Sequence, residues 1–211
     1  KTAYEIRLSL VGSEMCIRDR SKSVLPSGPP SQTQDLYKSG SLVGWVAPDG
    51  GVWTITKDAD TTPVLTGSGL AVRAFDPPKR FRVNLNLDPF EASRVDVVIA
   101  TTDAVKWQIR VDRTVRESGT VAFGKRDEQG QFFPMGHVVT LEKKGAGKKR
   151  PYLELSYERT DGRLTAFLGG QPLGSTSDTG LKAIELRLTA IGGQVRIDAA
   201  ELIDLGPGPK K

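Results

Sequence analysis

The chain has almost none of the residues that form disulfides and zinc sites. Its 211 residues include one cysteine, Cys16, and one histidine, His137. A disulfide scaffold needs paired cysteines, and a structural zinc site needs about four Cys or His ligands, so the composition excludes both classes. The sequence also lacks any apolar run near the roughly 18 residues of a membrane-spanning helix. With 37% apolar and 26% charged residues, it is typical of a globular protein.

Positive charge is in small excess and is concentrated in one segment. Thirty Lys and Arg residues stand against 25 Asp and Glu residues, which gives a net charge of +5. The segment KKGAGKKR lies between two predicted strands, and its cationic residues are Lys143, Lys144, Lys148, Lys149 and Arg150. We expect these side chains to contact phosphate or an anionic polysaccharide, or else to form a solubilising loop tip. Nucleic acid is disfavoured as a partner, because no stacking aromatic residues are interleaved with the charges.

The first 34 residues divide into two segments of different character. Within residues 1–20, the string AYEIRLSLVGSEMCIRDR resembles the conceptual translation of a sequencing adapter. We expect this segment to be non-native; the alternative is a genuine N-terminal strand. Residues 21–34, SKSVLPSGPPSQTQ, have the composition of a disordered Pro/Ser-rich linker, and a linker usually joins two folded parts. We therefore expect a missing upstream domain or anchor, a folded domain at 35–205 and a disordered tail at 206–211.

Between these segments, apolar and polar residues alternate with a period of two. The clearest runs lie at 81–87, 106–111, 152–158, 184–189 and 195–200. Such alternation indicates strands with one buried and one hydrated face, which is typical of antiparallel sheets. No stretch gives a convincing helix of ten or more residues. The pattern predicts an all-β, antiparallel two-sheet β-sandwich of about a dozen strands.

Two sequences between alternating runs have the composition of tight hairpin turns. The first is Asp161-Gly162 and the second is Gly192-Gly193. Both dipeptides tolerate the positive φ angles that two-residue hairpin loops require. We therefore predict a hairpin at each position.

Three segments carry a resemblance to a known group of proteins. They are Asp35-Leu36 followed by Trp45 and by GVWTI at 51–55, then RLTAFLGGQPLG at 163–174, then the three closing runs at 184–188, 193–198 and 201–205. Together they resemble the concanavalin A-like lectin/glucanase superfamily, and more narrowly its LamG-like and 3-keto-disaccharide-hydrolase-type modules. The resemblance implies a jelly-roll sandwich with the last strand beside the first. It also implies a bacterial, extracytoplasmic setting, at the cell surface or in the periplasm.

The sequence departs from the catalytic members of that superfamily. Its glucanases carry Glu-x-Asp-x-x-Glu on one strand, so that alternate carboxylates face the cleft, and this triplet is absent. The string at 201–204, Glu-Leu-Ile-Asp, has the wrong spacing. We therefore expect a non-catalytic module that binds a glycan or another surface ligand on its concave sheet or at a loop spanning 131–137. The alternatives are a glycoside hydrolase of the 3-keto-disaccharide type and a structural interaction module attached to a missing anchor or signalling domain.

Five residues are the candidates for ligand binding. A loop at 131–137 would present aromatic side chains beside a proline, and the polar side of the strand at 152–158 would line a concave face. The candidates are Phe132, Phe133, His137, Tyr152 and Glu154. His137 could act as an acid or base, but no partner carboxylate stands at a recognisable spacing, so no catalytic residue is assigned.

The three tryptophans and two loop aspartates have simpler interpretations. Trp45, Trp53 and Trp107 lie in apolar strand patterns, so core packing is expected for them. Asp58 and Asp60 could offer oxygen ligands to calcium, but the EF-hand pattern is not met and turn formation is the commoner role. No cofactor is expected beyond that weak calcium candidate.

Overall fold

The computed structural model describes residues 32–36, 42, 44–57, 63–89, 91–101, 106–115, 118–141, 152–177 and 184–208. Within these ranges every regular element is a strand, and no helix there has the length and apolar character to cross a bilayer. The strands are β1 (Thr33–Asp35), β2 (Trp45–Val46), β3 (Val52–Lys57), β4 (Pro63–Phe75), β5 (Phe81–Asp88), β6 (Arg94–Thr101), β7 (Lys106–Val115), β8 (Ser118–Arg126), β9 (Phe132–Leu141), β10 (Leu153–Thr160), β11 (Arg163–Leu168), β12 (Gln171–Ser177) and β13 (Ile184–Asp204).

All the strand pairs are antiparallel, and they form the two sheets of a sandwich. The hydrogen-bonded order is continuous, β12-β11-β10-β5-β13-β6-β7-β8-β9. We call β12-β11-β10-β5-β13 the first sheet and β13-β6-β7-β8-β9 the second, with β13 shared between them. Strand β4 also pairs with β13 and carries β2 and β3, while β1 pairs with the end of β13. The prediction of an all-β antiparallel sandwich of about a dozen strands is confirmed.

Strand β13 belongs to both sheets. Its first half pairs with β6 and its second half with β5, while β4 accompanies it on both sides of the crossing point. Ala190 pairs with Gly69 and Val195 with Gly67, so four residues of β13 face a single residue of β4. The predicted hairpin at Gly192-Gly193 is therefore wrong. The two glycines, with φ angles of 71° and 152°, form a bulge that redirects the strand from one sheet to the other.

The other predicted hairpin is confirmed. Thr160 pairs with Arg163, which leaves Asp161 and Gly162 as a two-residue loop. Their φ angles of 52° and 73° are both positive, as a type I′ turn requires.

The core lies between the sheets and is filled from both. In β5, Phe81, Val83, Leu85 and Leu87 are all buried and the residues between them point away from the core. An aromatic group occupies the centre, where Phe123 stacks on Trp107 at 6.1 Å and meets Tyr157 edge-on at 6.3 Å between ring centroids. Trp107 is buried as expected, and Trp45 and Trp53 pack half-buried against the core.

A buried tyrosine hydroxyl links the two sheets through this core. The hydroxyl of Tyr157, on β10 of the first sheet, donates to the carbonyl oxygen of Val97, on β6 of the second sheet, at 2.7 Å. Burial raises the pKa of Tyr157 well above its ordinary value, so the phenol stays protonated as a donor.

The edges β9 and β12 approach each other at the open side of the sandwich. A Cβ added to Gly136 of β9 would collide with the carbonyl oxygen of Leu173 on β12. A Cβ added to Gly174 of β12 would lie 2.6 Å from the carbonyl oxygen of Met135. The glycines at these positions therefore allow the two edge backbones to come together.

The described chain extends beyond the predicted domain at both ends. Strand β1 begins at Thr33, inside the predicted 21–34 linker, and the amide of Gly206 donates to Asp204 Oδ1 at 2.8 Å. Pairing with β13 explains the first extension, because β1 satisfies backbone groups at the end of that strand. Residues 1–31, with the adapter-like segment and most of the linker, lie outside the described residues, as do 209–211.

The Tyr157–Val97 bond gives a stability prediction. We expect Tyr157→Phe to lower the free energy of unfolding by about 1 kcal/mol, because it keeps the ring but removes the buried hydroxyl, which donates to Val97 O and more weakly to Trp107 O at 3.4 Å. Ser156→Ala, at the neighbouring outward position, is the matched control and should change stability by less than about 0.5 kcal/mol. Urea titration would measure both, and equal stability of the two variants would contradict a stabilising bond between the sheets.

Candidate functional site

The outer face of the second sheet is buried at its centre. On β6 and β7, the side chains that alternate with the core residues point away from the core, yet Asp96 is 2% exposed and Gln108 is fully buried. By contrast, the outward side chains of β5 and β10 in the first sheet are at least partly exposed, Asn84 and Ser156 among them. The second sheet therefore holds polar groups in a sheltered site on its outer face.

Asp96 is the centre of an ion cluster on this face. Its Oδ1 lies 3.1 Å from Nε of Arg110, the residue directly opposite on β7, and its Oδ2 lies 3.4 Å from Nε of Arg94. Burial raises the pKa of Asp96, and the positive charges of Arg110, Arg94 and Arg126 oppose this rise. The ion pair with buried Asp96 thus fixes the position of the Arg110 side chain.

Gln108 is the polar residue of the site whose burial is not explained by hydrogen bonds. It lies between Val98 of β6 and Gly124 of β8 in register, and within the described residues neither its amide nitrogen nor its amide oxygen has a hydrogen-bond partner. Buried polar groups are almost always paired, because leaving one unpaired costs about 1–3 kcal/mol. An amide with unused donors and an unused acceptor is suited to a ligand that offers both.

The ring of Phe132 stacks on the arginine of the cluster and lies against the glycine that is opposite Gln108. The guanidinium carbon of Arg110 lies 4.4 Å from the centroid of the Phe132 ring. A Cβ on Gly124, the residue opposite Gln108, would lie 2.7 Å from Cε2 of the same ring, so the glycine makes room for it. Phe132 is itself half-buried, which leaves part of the ring open to solvent. Together these residues form an aromatic surface backed by a cation.

The segment 131–137 is not a loop, so that expectation is wrong. It starts β9, where Pro134 is tolerated because β9 is the last strand of its sheet and needs no second partner. The strand geometry separates the two phenylalanines. Phe132 pairs with Arg126 on the outer face, whereas Phe133 pairs with Lys125 on the opposite side and is 47% exposed. His137 is exposed further along the strand.

Tyr152 and Glu154 lie on the other sheet from Phe132. Tyr152 directly precedes β10 and is half-buried, and Glu154 is exposed on the outward side of β10. Glu154 lines a groove of about 620 Å³ together with Arg82, Asn84, Asn86, Ser156 and Glu201. The structure therefore splits the five predicted ligand-binding residues between two surfaces rather than bringing them together.

Two of the predicted groups lie outside the described residues. They are the five cationic residues of 143–150 and the possible calcium ligands Asp58 and Asp60. Within the described ranges, no three His, Cys, Asp or Glu side chains come together as metal ligands would.

Sequence reasoning missed the residues at the centre of the site. Asp96, Gln108 and Arg110 stand at outward positions of alternating strands, where polar residues are expected and attract no notice. The available signal was that 94–100 places an aspartate within an otherwise apolar run, Val95 to Ala100. Only the pairing of β6 with β7 shows that this aspartate faces an arginine.

Solved structures with the same architecture are related to this chain by fold alone. The CBM2 module of the evolved Dit protein of Lactobacillus casei BL23 phage J-1 has a TM-score of 0.53 and 6% identity over 86% of this chain and 100% of that one. The Crh5 transglycosylase in complex with NAG has a TM-score of 0.53 and 11% identity over 85% of each chain. A Bacillus subtilis protein of unknown function with a galectin-like fold has a TM-score of 0.51 and 9% identity over 82% of this chain and 94% of that one.

These likenesses identify the fold. The chain has the jelly-roll β-sandwich fold that the sequence resemblance implied. No protein-family model and no curated protein sequence matches the chain. The narrower LamG-like or 3-keto-disaccharide-hydrolase-type grouping therefore stays a prediction.

The Asp96 cluster gives a prediction about pH. Because burial raises the pKa of Asp96 above 3.8, the folded state holds this proton more tightly than the unfolded state. The stability due to this group is then greatest below about pH 3.8 and falls as the pH rises through the raised pKa. The free energy of unfolding of the wild type minus that of Asp96→Asn should therefore decrease from about pH 3.5 to about pH 7.

Urea unfolding of both proteins across this range would measure the difference. Glu185→Gln is the matched control, since Glu185 pairs with Arg187 at 2.6 Å near the surface of the same sheet. A difference that increases with pH would show that attraction to the arginines outweighs the cost of burying the carboxylate.

Proposed function

We propose that this protein is a glycan-binding module whose ligand sits on the outer face of the second sheet. The observation that carries the proposal is the buried, unpaired amide of Gln108 next to the Phe132–Arg110 stack. A sugar offers adjacent hydroxyl groups that both donate and accept, which matches a free primary amide. Its C–H face packs on an aromatic ring, which matches the partly exposed ring of Phe132.

The mode of binding follows from the burial of these groups. Gln108 is fully buried in the free protein, so a ligand would reach its amide only after the side chains that cover it have moved. Side-chain rearrangements of this size are common when proteins bind their ligands, while the backbone moves little. The outward side chains of the rigid strands β6, β7 and β8 would then supply specificity, and Phe132 would supply contact area.

The wider proposal is a non-catalytic, extracytoplasmic module. The fold is shared with structures whose names refer to a CBM2 module and to a transglycosylase bound to NAG, which supports a carbohydrate ligand at the level of the fold. The Glu-x-Asp-x-x-Glu strand motif of the glucanases is absent from the sequence, which supports binding without catalysis. Fractionation of the producing cells would test the location, and recovery of the protein only in the cytoplasm would contradict it.

Phe132 and Phe133 provide a matched pair of variants for testing the site. We expect Phe132→Ala to weaken glycan binding by about tenfold or more, because it removes the stacking surface. Phe133→Ala removes the same side chain from the opposite side of the same strand and should leave affinity within about twofold. A glycan array with the wild type would identify the ligand, and titration calorimetry would compare the variants.

Each outcome of this test bears on the proposal. Loss of binding in Phe133→Ala alone would move the site to the other side of β9. A wild type that binds nothing on the array would contradict glycan binding and favour the structural interaction module.

A second candidate function is glycoside hydrolysis in the groove of the first sheet. The observation that favours it is that Glu154 and Glu201 line the same groove, two strands apart in register. Strand spacing and rise place their Cα atoms about 12 Å apart. Glutamate side chains reaching toward each other across that span could reach the roughly 5–9 Å separation of paired catalytic carboxylates.

Release of reducing sugar from the bound glycan would test hydrolysis. If the groove is catalytic, Glu154→Gln and Glu201→Gln should each lower kcat by about a hundredfold or more. Glu158→Gln is the matched control, because Glu158 is already paired with Arg82. Product release that is unchanged in both variants, or absent from the wild type, would exclude this candidate.

A further inference from the structure

The outer face of the second sheet carries an excess of positive charge. Among its described outward positions in register, five side chains are cationic and three are carboxylates. The cations are Arg94, Lys106, Arg110, Arg126 and Arg187, and the carboxylates are Asp96, Asp112 and Glu185. The corresponding positions of the first sheet have the opposite balance. Their cations are Arg82, Arg163 and Arg196, and their carboxylates are Asp35, Asp88, Glu154, Glu158 and Glu201.

Two of the cations on the second sheet stand directly opposite each other. Lys106 of β7 pairs in register with Arg126 of β8, so both side chains emerge on the same face at adjacent positions. Like charges directly opposite on paired strands are destabilising. Within the described residues Lys106 makes no ion pair, and the Nε of Arg126 donates only to the carbonyl oxygen of Gly130 at 3.1 Å. In that part of the chain neither cation forms an ion pair with a carboxylate, and Asp96 attracts Arg126 only at longer range.

The cation pair continues into the aromatic surface of the proposed glycan site. Arg126 pairs in register with Phe132, so Lys106, Arg126 and Phe132 form one row across three strands. Neighbouring strands lie about 4.8 Å apart, so a sugar ring on Phe132 would place a substituent within reach of both cations. A guanidinium binds planar, two-oxygen anions in a bidentate manner, and an adjacent ammonium adds a second charge-assisted bond.

We propose that the glycan is acidic, and that Lys106 and Arg126 form the subsite for its carboxylate or sulfate groups. The inference rests on the proposed function, because it names the ligand class of the same face. The acidic group would neutralise two like charges that the fold holds side by side, while the uncharged part of the sugar contacts Phe132.

The test compares polymers that differ only in charge. Polygalacturonate and its fully methyl-esterified form share a backbone, and dextran sulfate and dextran do the same for sulfate. We expect the wild type to bind at least one acidic polymer about tenfold or more tightly than its neutral counterpart, with affinity falling as salt is added. The two pairs also distinguish carboxylate from sulfate as the recognised group.

The variants locate the effect within the molecule. Lys106→Gln and Arg126→Gln should each weaken binding of the acidic polymer by about fivefold to tenfold and leave binding of a neutral glycan unchanged. Lys125→Gln is the matched control, since Lys125 is the neighbour of Arg126 on β8 but pairs with Phe133 on the opposite side. Because Arg126 also bonds to Gly130, Lys106→Gln tests the subsite without disturbing that turn.

The outcomes separate this inference from the proposed function. A wild type that binds neutral and acidic polymers equally would overturn the acidic subsite and leave glycan binding intact. Equal losses in Lys125→Gln and Lys106→Gln would show diffuse charge attraction and overturn the subsite as well. A wild type that binds no glycan of either kind would remove the proposed function and the inference together.

Discussion

The fold depends on a single strand that belongs to two sheets. Strand β13 spans Ile184–Asp204 and pairs with β6 over its first half, with β5 over its second half and with β4 along much of its length. At about 3.3 Å per residue such a strand is long enough to cross the whole sandwich. The bulge at Gly192-Gly193 turns it between the layers without ending it. Strand β13 therefore sets the positions of both β6 and β5, which lie on opposite sides of the core. Because Asp96 is on β6, its position depends on β13 too.

The alternation of residues was sufficient to predict the class of fold. Period-two patterns mark strands with one buried face, and the runs at 81–87 and 153–157 bury the residues that the pattern indicates. The turn at Asp161-Gly162 was predictable too, because both residues tolerate positive φ. The continuity of β13 was not, since Gly-Gly suits a hairpin and a bulge equally well. The choice between them depends on β4, whose pairing on both sides of the glycines is a long-range fact absent from the local sequence.

The candidate site was predictable only in part, for a related reason. Phe132 was predicted to bind a ligand because it is an aromatic residue near a proline. Pro134 suggested that this segment is a loop, but it is an edge strand, where proline is tolerated. Gln108 looked like an ordinary outward residue of β7. Its neighbours in the sheet are Val98 on β6 and Gly124 on β8, which are brought beside it by strand register and are distant in sequence. Because this surface is formed by several strands together, the sequence of any one strand gives little indication of it.

The ion cluster and the edge contact together bear on how the site would respond to a ligand. Burial raises the pKa of Asp96 despite its arginine partners, and the ion pair holds the Arg110 guanidinium against the Phe132 ring. Further along β9, Gly136 lets the strand press against the backbone of β12. The strand that carries Phe132 is therefore paired with β8 on one side and lies in close backbone contact with β12 on the other. Such preorganisation means that binding would sacrifice the rotamer freedom of one ring and little backbone entropy, so that modest contacts could yield useful affinity.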